Sequence, residues 1–323
     1  MTLPLIDVHH HARPAGYTEA LASVGIRSVG GRPVMDWEYG PALELMDTNS
    51  IQTAILSSPD VESAFSHKTL AVRLSRDINE MYAGLIAKDG SRFGGFASLP
   101  LPHVDEALAE LSYALDTLKL DGVFFSSNHA GIYPGDSRFD PVLAELDRRK
   151  AVVFVHPASP PMGRPNELGL PGWLVEFPSD TTRCIANLIA ADVPGRFPGI
   201  RFIFSHAGGF APFFPFRLAA YGVMRDDAKS PVDYEQALGH IQRCLRSFYF
   251  DTALSAHPAT LSILQEMVGG DRILFGSDHP QVPLPLIKVC SDTVLHVSKS
   301  QPALSGVAHV NALALLPRLR STF

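Results

Sequence analysis

The stretch from Leu5 to His11 is LIDVHHH, in which a short, mostly apolar run ends in three consecutive histidines. Similar runs rich in Val, Ile or Phe recur along the chain, and several of them also end in polar side chains. Such nearly continuous apolar strands are typical of a parallel sheet that is covered on both faces. The eight predicted strands are Leu5–Val8, Thr53–Leu56, Phe93–Ala97, Gly122–Phe125, Val152–Val155, Arg201–Phe204, Phe248–Phe250 and Arg272–Phe275.

Between most of these strands lie segments with apolar residues at three- and four-residue spacing, the pattern of amphipathic helices. Examples are HVDEALAELSYALDTLK at residues 103–119 and PATLSILQEMV at residues 258–268. Strands that alternate with helices indicate βαβ units. Eight units predict an α/β fold, a (β/α)8 TIM barrel, as a single domain over residues 1–323. The remaining length fits a small N-terminal insertion at residues 12–40 and C-terminal helices at residues 284–319.

The composition excludes several classes of protein. The chain of 323 residues is 46% apolar and 19% charged, which is typical of a globular protein and not of a disordered or coiled-coil chain. Its 27 Lys and Arg against 33 Asp and Glu give a net charge of −6. No basic run is longer than residues 148–150, which we interpret as the last turn of a helix. We therefore expect no nucleic-acid partner.

The cysteines and the apolar runs bear on the compartment. Cys184, Cys244 and Cys290 form no CxxC pair and no disulfide framework, so we expect a reducing compartment. The first residues lack the pattern of a secretory signal, and no apolar run approaches the ~20 residues of a membrane-spanning helix. These observations predict a cytoplasmic protein with no membrane partner.

Histidine or aspartate follows four of the eight predicted strands. His11 ends strand one, His156 strand five and His206 strand six, while Asp278 follows strand eight. TIM-barrel active sites occupy the C-terminal ends of the strands, so we expect these side chains to meet at one rim. Other histidines fall in loops or helical segments and are expected to be structural. These are His67, His103, His129, His240, His257, His296 and His309.

The spacing of the histidines in strand one predicts a chelating pair. Side chains alternate along a strand, so His9 and His11 share the face that points into the barrel mouth and His10 points away. With His156 and Asp278 they form a candidate set of three imidazoles and one carboxylate. This set suits Zn²⁺ and is compatible with Mn²⁺ or Fe²⁺. We expect one divalent ion, with zinc favoured.

Two aromatic segments leave alternatives open. Trp173 follows strand five in a Pro- and Gly-rich loop, where it could pack against the loop or form a wall of the substrate pocket. The segment Phe210–Phe216 is expected either in the core or at a subunit interface. No G-x-S-x-G sequence surrounds Ser126, Ser127 or Ser205, so we do not expect a serine nucleophile.

The motifs IDVHHH, VFVHPA, FIFSHAGGFAPFFPFR and ILFGSDHP occur in this order along the chain. In these motifs the chain resembles the amidohydrolase superfamily, in the branch that contains aminocarboxymuconate-semialdehyde decarboxylase. Stretches such as RFGGFASLPLP and FYFDTALS look most like the 6-methylsalicylate decarboxylases of that branch. The resemblance implies that His9, His11, His156 and Asp278 bind the metal and that His206 is catalytic.

Further positions follow from the same resemblance. Arg217 matches an arginine that binds substrate carboxylate, in the semialdehyde decarboxylase from the neighbouring subunit, which implies a homodimer. Trp173 lies in a segment similar to the family's W-L-V-x-x-P-x-[DE]-T-T. The stretch ALELMD at residues 42–47 lacks the arginines of the semialdehyde decarboxylases, which argues against a muconate semialdehyde substrate. Strand four, GVFFSSNH at residues 122–129, lacks the lysine that bridges two metals in many members, which implies a single ion.

These observations predict a carboxy-lyase, a metal-dependent non-oxidative decarboxylase of a small ortho-hydroxylated aromatic carboxylate such as 6-methylsalicylate. Protonation of the ring carbon before loss of CO₂ avoids an aryl anion, and either His206 or Asp278 could supply the proton. The alternative is hydrolysis of a lactone, ester or amide, for which the same residues would serve. A metal-binding scaffold without turnover is a third hypothesis, which is less favoured because His206 adds an acid–base group to the rim.

Overall fold

A computed structural model describes residues 3–29, 32–59, 64, 66–160, 169–225 and 231–321. Its main sheet has eight strands that pair in parallel in the order of the chain. The strands are β1 Leu5–His11, β2 Ile51–Ser57, β3 Phe93–Ala97, β4 Gly122–Ser126, β5 Val152–His156, β6 Arg201–Phe204, β7 Tyr249–Asp251 and β8 Ile273–Leu274. All eight predicted strands are present, with ends that differ by a few residues.

Hydrogen bonds between the first strand and the segment around the last strand close this sheet into a barrel. The amide of Val8 donates to the carbonyl of Phe275 at 3.0 Å, and the amide of Asp278 donates to the carbonyl of His9 at 2.8 Å. The amide of His11 donates to the carbonyl of His279 at 2.7 Å. The predicted TIM barrel is therefore confirmed.

Helices cover the outside of the barrel, as the amphipathic segments predicted. The basic triplet at residues 148–150 ends one of them, with Arg148 and Arg149 in its last turn. The helices are α1 Tyr17–Ala22, α2 Tyr39–Thr48, α3 Lys68–Asp89, α4 Val104–Ser112, α5 Asp140–Arg149, α6 Gly172–Ala190, α7 Val193–Arg196, α8 Pro215–Arg225, α9 Pro231–Ser247, α10 Pro258–Val268, α11 Leu284–Ser300 and α12 Val310–Leu315. None in the described ranges combines the length and apolar composition needed to cross a membrane.

The C-terminal segment packs against the N-terminal ends of the barrel strands. Leu315, Leu316 and Leu319 belong to the same buried cluster as inward-facing residues such as Phe96 and Phe154. This packing fills one end of the barrel with side chains, so a site can open only at the other end, where the strands reach their carboxyl termini.

Arg318 anchors the C-terminal segment at this end. Its guanidinium donates to Asp121 at 2.8 and 2.9 Å and to the carbonyl of Phe93, at the start of β3, at 3.1 Å. The C-terminal helices predicted at residues 284–319 thus include a segment that is fixed to the N-terminal end of the barrel.

Helix α6 includes Trp173, for which the sequence predicts a loop. Trp173 was placed in a loop, but α6 begins at Gly172, so Trp173 lies in its first turn. Pro178 lies inside the helix and has no N–H to donate, so the local sequence favours a break at this position. The helix continues through Pro178 because its buried residues Asp180 and Thr182 are bonded to neighbouring loops.

Candidate metal centre

The four predicted metal ligands meet at the open end of the barrel. The Nε2 atoms of His9 and His11 are 3.1 Å apart, and they lie 3.2 and 3.0 Å from Oδ1 of Asp278. With His156 they form a buried group whose ligand atoms all lie within 4.8 Å of one another. Ligand atoms of a tetrahedral zinc site with bonds of ~2.1 Å are about 3.4 Å apart, so the spacing fits one small cation.

A second polar group orients each of the three imidazoles. Nδ1 of His9 lies 2.8 Å from Oδ2 of Asp251, Nδ1 of His11 lies 3.1 Å from Oγ of Ser57, and Nδ1 of His156 lies 2.9 Å from the carbonyl of Pro157. Partners of this kind fix the ring and leave Nε2 available as a metal ligand. The nitrogen lone pairs of three imidazoles and one carboxylate oxygen converge on one point, and this set of ligands fits a divalent cation.

The electrostatics differ among the imidazoles. Burial opposes the protonation of His9, but the carboxylates of Asp251 and Asp278 outweigh burial and raise the pKa of His9 to about 10. Burial lowers the pKa of His11 to about 4 and that of His156 well below its usual value. A cation that binds at Nε2 of His9 must therefore displace a proton.

His206 lies beside this group without belonging to it. Its Nε2 is 3.9 Å from Oδ2 of Asp278, while its Nδ1 is 3.1 Å from the carbonyl of Ala253, an acceptor that fixes the tautomer. Burial lowers the pKa of His206 despite the nearby carboxylate of Asp278. His206 and Asp278 have positive φ angles of 53° and 58°, the kind of backbone strain that is common at functional sites.

Asp251 is a site residue that the sequence analysis missed. It is the last residue of β7, within the stretch FYFDTALS, is fully buried, and bonds to two functional segments. Its Oδ2 holds the ring of His9, and its Oδ1 accepts from the backbone amides of His206 and Ala253, both at 2.9 Å. An acidic residue at the end of a barrel strand was the available signal.

His156 and Asp278 of the metal group, together with His206, form the floor of a cavity of about 490 Å³. Trp173, Leu174 and Phe177 of α6 line one part of the wall, together with Phe210 and Leu254. Among the described residues that line the cavity there is no lysine or arginine. The N-terminal insertion contributes residues 29 and 33 to the wall. The cavity therefore fits a small, largely apolar molecule with a polar end that faces the metal group.

Other predicted residues lie away from this floor. His10 points away from the metal group, with its ring 4.8 Å from that of His279. Arg217 is exposed on α8 and is not among the residues that line the cavity. Phe213 and Phe216 are 68% and 67% exposed, so the core alternative for these two side chains is wrong. A subunit interface remains a prediction.

Comparison with known proteins agrees with this geometry. The sequence profile of the amidohydrolase family matches residues 6–318. The chain belongs to this amidohydrolase family. It is 34% identical to the decarboxylase yanB of Aspergillus niger, over 98% of this chain and 88% of that protein. It is 32% identical to a 6-methylsalicylic acid decarboxylase of Penicillium expansum, over 98% of this chain and 97% of that protein.

A solved structure supports the same assignment. A crystal structure described as amidohydrolase II superposes with a TM-score of 0.85 at 28% identity, covering 97% of this amidohydrolase and 99% of that chain. The predicted carboxy-lyase class and the resemblance to the amidohydrolase superfamily are confirmed, since relatives that match this amidohydrolase almost end to end are decarboxylases.

Proposed function

We propose that this amidohydrolase catalyses the non-oxidative decarboxylation of an ortho-hydroxylated aromatic acid, with 6-methylsalicylate or a close analogue as substrate. The observation that supports this most is the combination of one cation site with an apolar cavity in which the described wall has no basic residue. Within the described wall of one subunit, the metal group is the cationic partner available to the substrate carboxylate. The name of the Penicillium relative supplies the substrate class.

We propose that His9, His11, His156 and Asp278 bind a single Zn²⁺, with Mn²⁺ as the alternative. When bound, the divalent ion would hold the phenolate and carboxylate oxygens of the substrate and stabilise negative charge as a Lewis acid. The end of β4 has serines in place of the bridging lysine of two-metal relatives, with Ser126 and Ser127 both buried. This favours one ion.

In this proposal His206 and Asp278 manage the proton. Because Nδ1 of His206 faces the carbonyl of Ala253, its Nε2 faces Asp278 and the cavity. Because Nδ1–H of His206 donates to the Ala253 carbonyl, Nε2 of the neutral ring is an acceptor. Nε2 of His206 or Oδ2 of Asp278 would therefore first take the proton of the substrate's ortho-hydroxyl group and then add it to the ring carbon that bears the carboxylate. The bond from that carbon to the carboxylate then breaks, CO₂ leaves, and the electron pair returns to the ring. Trp173 would contact the face of the ring and exclude water.

We further propose a cytoplasmic homodimer in which Arg217 serves the neighbouring subunit and residues 1–323 form one catalytic domain. Support for the dimer comes from the exposure of Arg217 beside the exposed rings of Phe213 and Phe216, since large apolar side chains on a surface mark interaction sites. Support for a reducing compartment comes from the three cysteines, which are buried and unpaired in the described structure.

The decisive experiment is a test of 6-methylsalicylate with purified protein of measured metal content. We expect CO₂ and 3-methylphenol, with one deuterium at the former carboxyl position when the reaction runs in D₂O. The matched analogue 2-methylbenzoate, which lacks only the hydroxyl, should not react, because an unpaired polar site is costly. Hydrolysis of lactones without CO₂ release from any hydroxybenzoate would favour the alternative reaction and refute this one.

A further inference from the structure

Helix α6 makes polar contacts with the segments that follow β4 and β6, and the segment after β4 in turn bonds to the residues that follow β5. Beyond the cavity wall, the helix carries Asp180, which is fully buried, and Thr182, which is 8% exposed. Neither side chain contacts the four metal ligands or His206 directly. Their partners lie in the segments that follow β4 and β6. The segment after β6 carries His206, and the segment after β4 bonds to residues 158 and 159, just beyond His156 at the end of β5.

Asp180 accepts three hydrogen bonds from the segment that follows β4. Its Oδ2 accepts from Oγ of Ser127 at 2.5 Å and from Nδ2 of Asn128 at 2.8 Å. Its Oδ1 accepts from the hydroxyl of Tyr133 at 2.6 Å and lies 3.6 Å from the guanidinium of Arg183. A buried carboxylate with this many donors fixes the orientation of each donor group.

The same donors hold the segment that carries His156. Because the Ser127 hydroxyl gives its hydrogen to Asp180, its lone pairs face the amide of Ala158, which donates to Oγ at 2.8 Å. Nδ2 of Asn128 also donates to the carbonyl of Ser159 at 3.1 Å. These bonds lie on the C-terminal side of the Pro157 carbonyl, the group that orients the ring of His156.

Thr182 makes the corresponding contact with the segment that carries His206. Its Oγ1 donates to the carbonyl of Pro178 at 2.8 Å and accepts from the amide of Phe210 at 2.8 Å. Gly209 has a φ of +65°, and a Cβ there would lie 2.1 Å from the Pro178 carbonyl oxygen. The turn after His206 is therefore packed backbone against backbone on α6.

From these contacts we propose that Asp180 and Thr182 are positioning residues that independently place His156 and His206 at the metal centre. Asp180 acts on the metal ligand through Ser127 and the segment at residues 156–159. Thr182 acts on the proton-transferring histidine through the turn at residues 206–210. The proposal rests on the metal site and on the role of His206 given above.

A neighbouring residue supplies a matched control for Thr182. Thr181 is fully buried on the same helix, and its Oγ1 also donates to the carbonyl four residues earlier, Phe177, at 3.2 Å. The structure shows no bond from the loop of His206 to Thr181 among the described residues. T181V and T182V therefore each remove a hydroxyl bond to the carbonyl four residues earlier, but only T182V also removes the acceptor for the amide of Phe210.

We expect T182V to lower kcat about tenfold while the Kd for Zn²⁺ stays within about twofold, because small displacements of a catalytic group are costly. T181V should change neither quantity. In ¹⁵N-histidine NMR spectra without substrate, the ring signals of His206 should shift in T182V and stay in place in T181V. Equal effects of the two substitutions on kcat and on the spectrum would overturn the role of Thr182.

For Asp180 the readout is metal affinity, measured without substrate. D180N replaces one of the two oxygens that accept from Ser127, Asn128 and Tyr133 with an NH₂ group, which is itself a donor. We expect D180N to weaken Zn²⁺ binding about tenfold and to alter the visible spectrum of the Co²⁺-substituted protein. D180E should recover part of the affinity. S127A, which removes only the connecting hydroxyl, should reproduce the loss and provides the test should D180N fail to fold.

Wild-type Kd and Co²⁺ spectra in S127A and in folded D180N would overturn the role of Asp180. Failure of the proposed decarboxylation is distinguishable from both outcomes, because the metal affinities, the Co²⁺ spectra and the NMR signals of His206 are all recorded without substrate. The thermal unfolding temperature of each variant is measured as well, so that a local effect on the site can be separated from a general loss of stability.

Discussion

Metal binding by this amidohydrolase should release one proton per ion near neutral pH. The carboxylates of Asp251 and Asp278 raise the pKa of His9 to about 10, so before metal binding His9 is almost fully protonated at pH 7.5. Burial lowers the pKa of His11 to about 4 and that of His156 well below its usual value, while the imidazoles of His9 and His11 outweigh burial and hold the pKa of Asp278 well below its usual range. None of these three ligands therefore binds a proton at pH 7.5. Only His9 must lose a proton when its Nε2 becomes a ligand.

The same values fix the pH dependence. Protons compete with the cation at a group whose pKa is raised, so affinity should increase with pH. Between about pH 6.5 and 8.5, well above the pKa of His11 and well below that of His9, the Kd for Zn²⁺ should fall about tenfold per pH unit. The slope should flatten only near pH 10, where free His9 loses its proton unaided.

Calorimetric titration of the metal-free protein with Zn²⁺, in buffers of different ionisation enthalpy, counts the released protons. D251N removes one of the two carboxylates, so the count at pH 8.5 should fall below one. S57A is the matched control: it removes the partner of His11 rather than that of His9, so its count should stay at one. A count near zero in the wild-type protein, with no pH slope, would refute the electrostatic argument.

The remaining predictions concern the ligands, the acid and the assembly. Metal analysis should show loss of the ion in H156A and full retention in H10A, because His10 points away from the metal group. H206A should keep its metal but lose at least ~100-fold in kcat, the lower range for acid–base catalysis, and a smaller loss would remove His206 as proton donor. Mixing inactive R217A with inactive H206A subunits should restore partial activity, whereas none after verified subunit exchange would place Arg217 outside the neighbour's site.

The sequence determined the barrel and the members of the metal group. Apolar strands that alternate with amphipathic helices leave few folds other than a barrel, and a parallel barrel brings all strand ends to one rim. Once the strands are placed, His9, His11, His156 and Asp278 must lie near one another. The alternation of side chains even separates His10 from its neighbours. These inferences succeed because each depends only on the local periodicity of apolar side chains and on where each strand ends in the sequence.

Only the tertiary structure decided which groups hold the site in place. Asp251 lies 242 positions from the ring of His9 that it contacts, and no local pattern reports a hydrogen bond across that separation. Asp180 and Ser127 are likewise joined by a hydrogen bond although they lie 53 positions apart in the sequence. Helix α6 runs through Pro178 because such long-range contacts outweigh the local preference for a break. Orientation depends on distances of about 3 Å between remote atoms, and these exist only once the chain is packed.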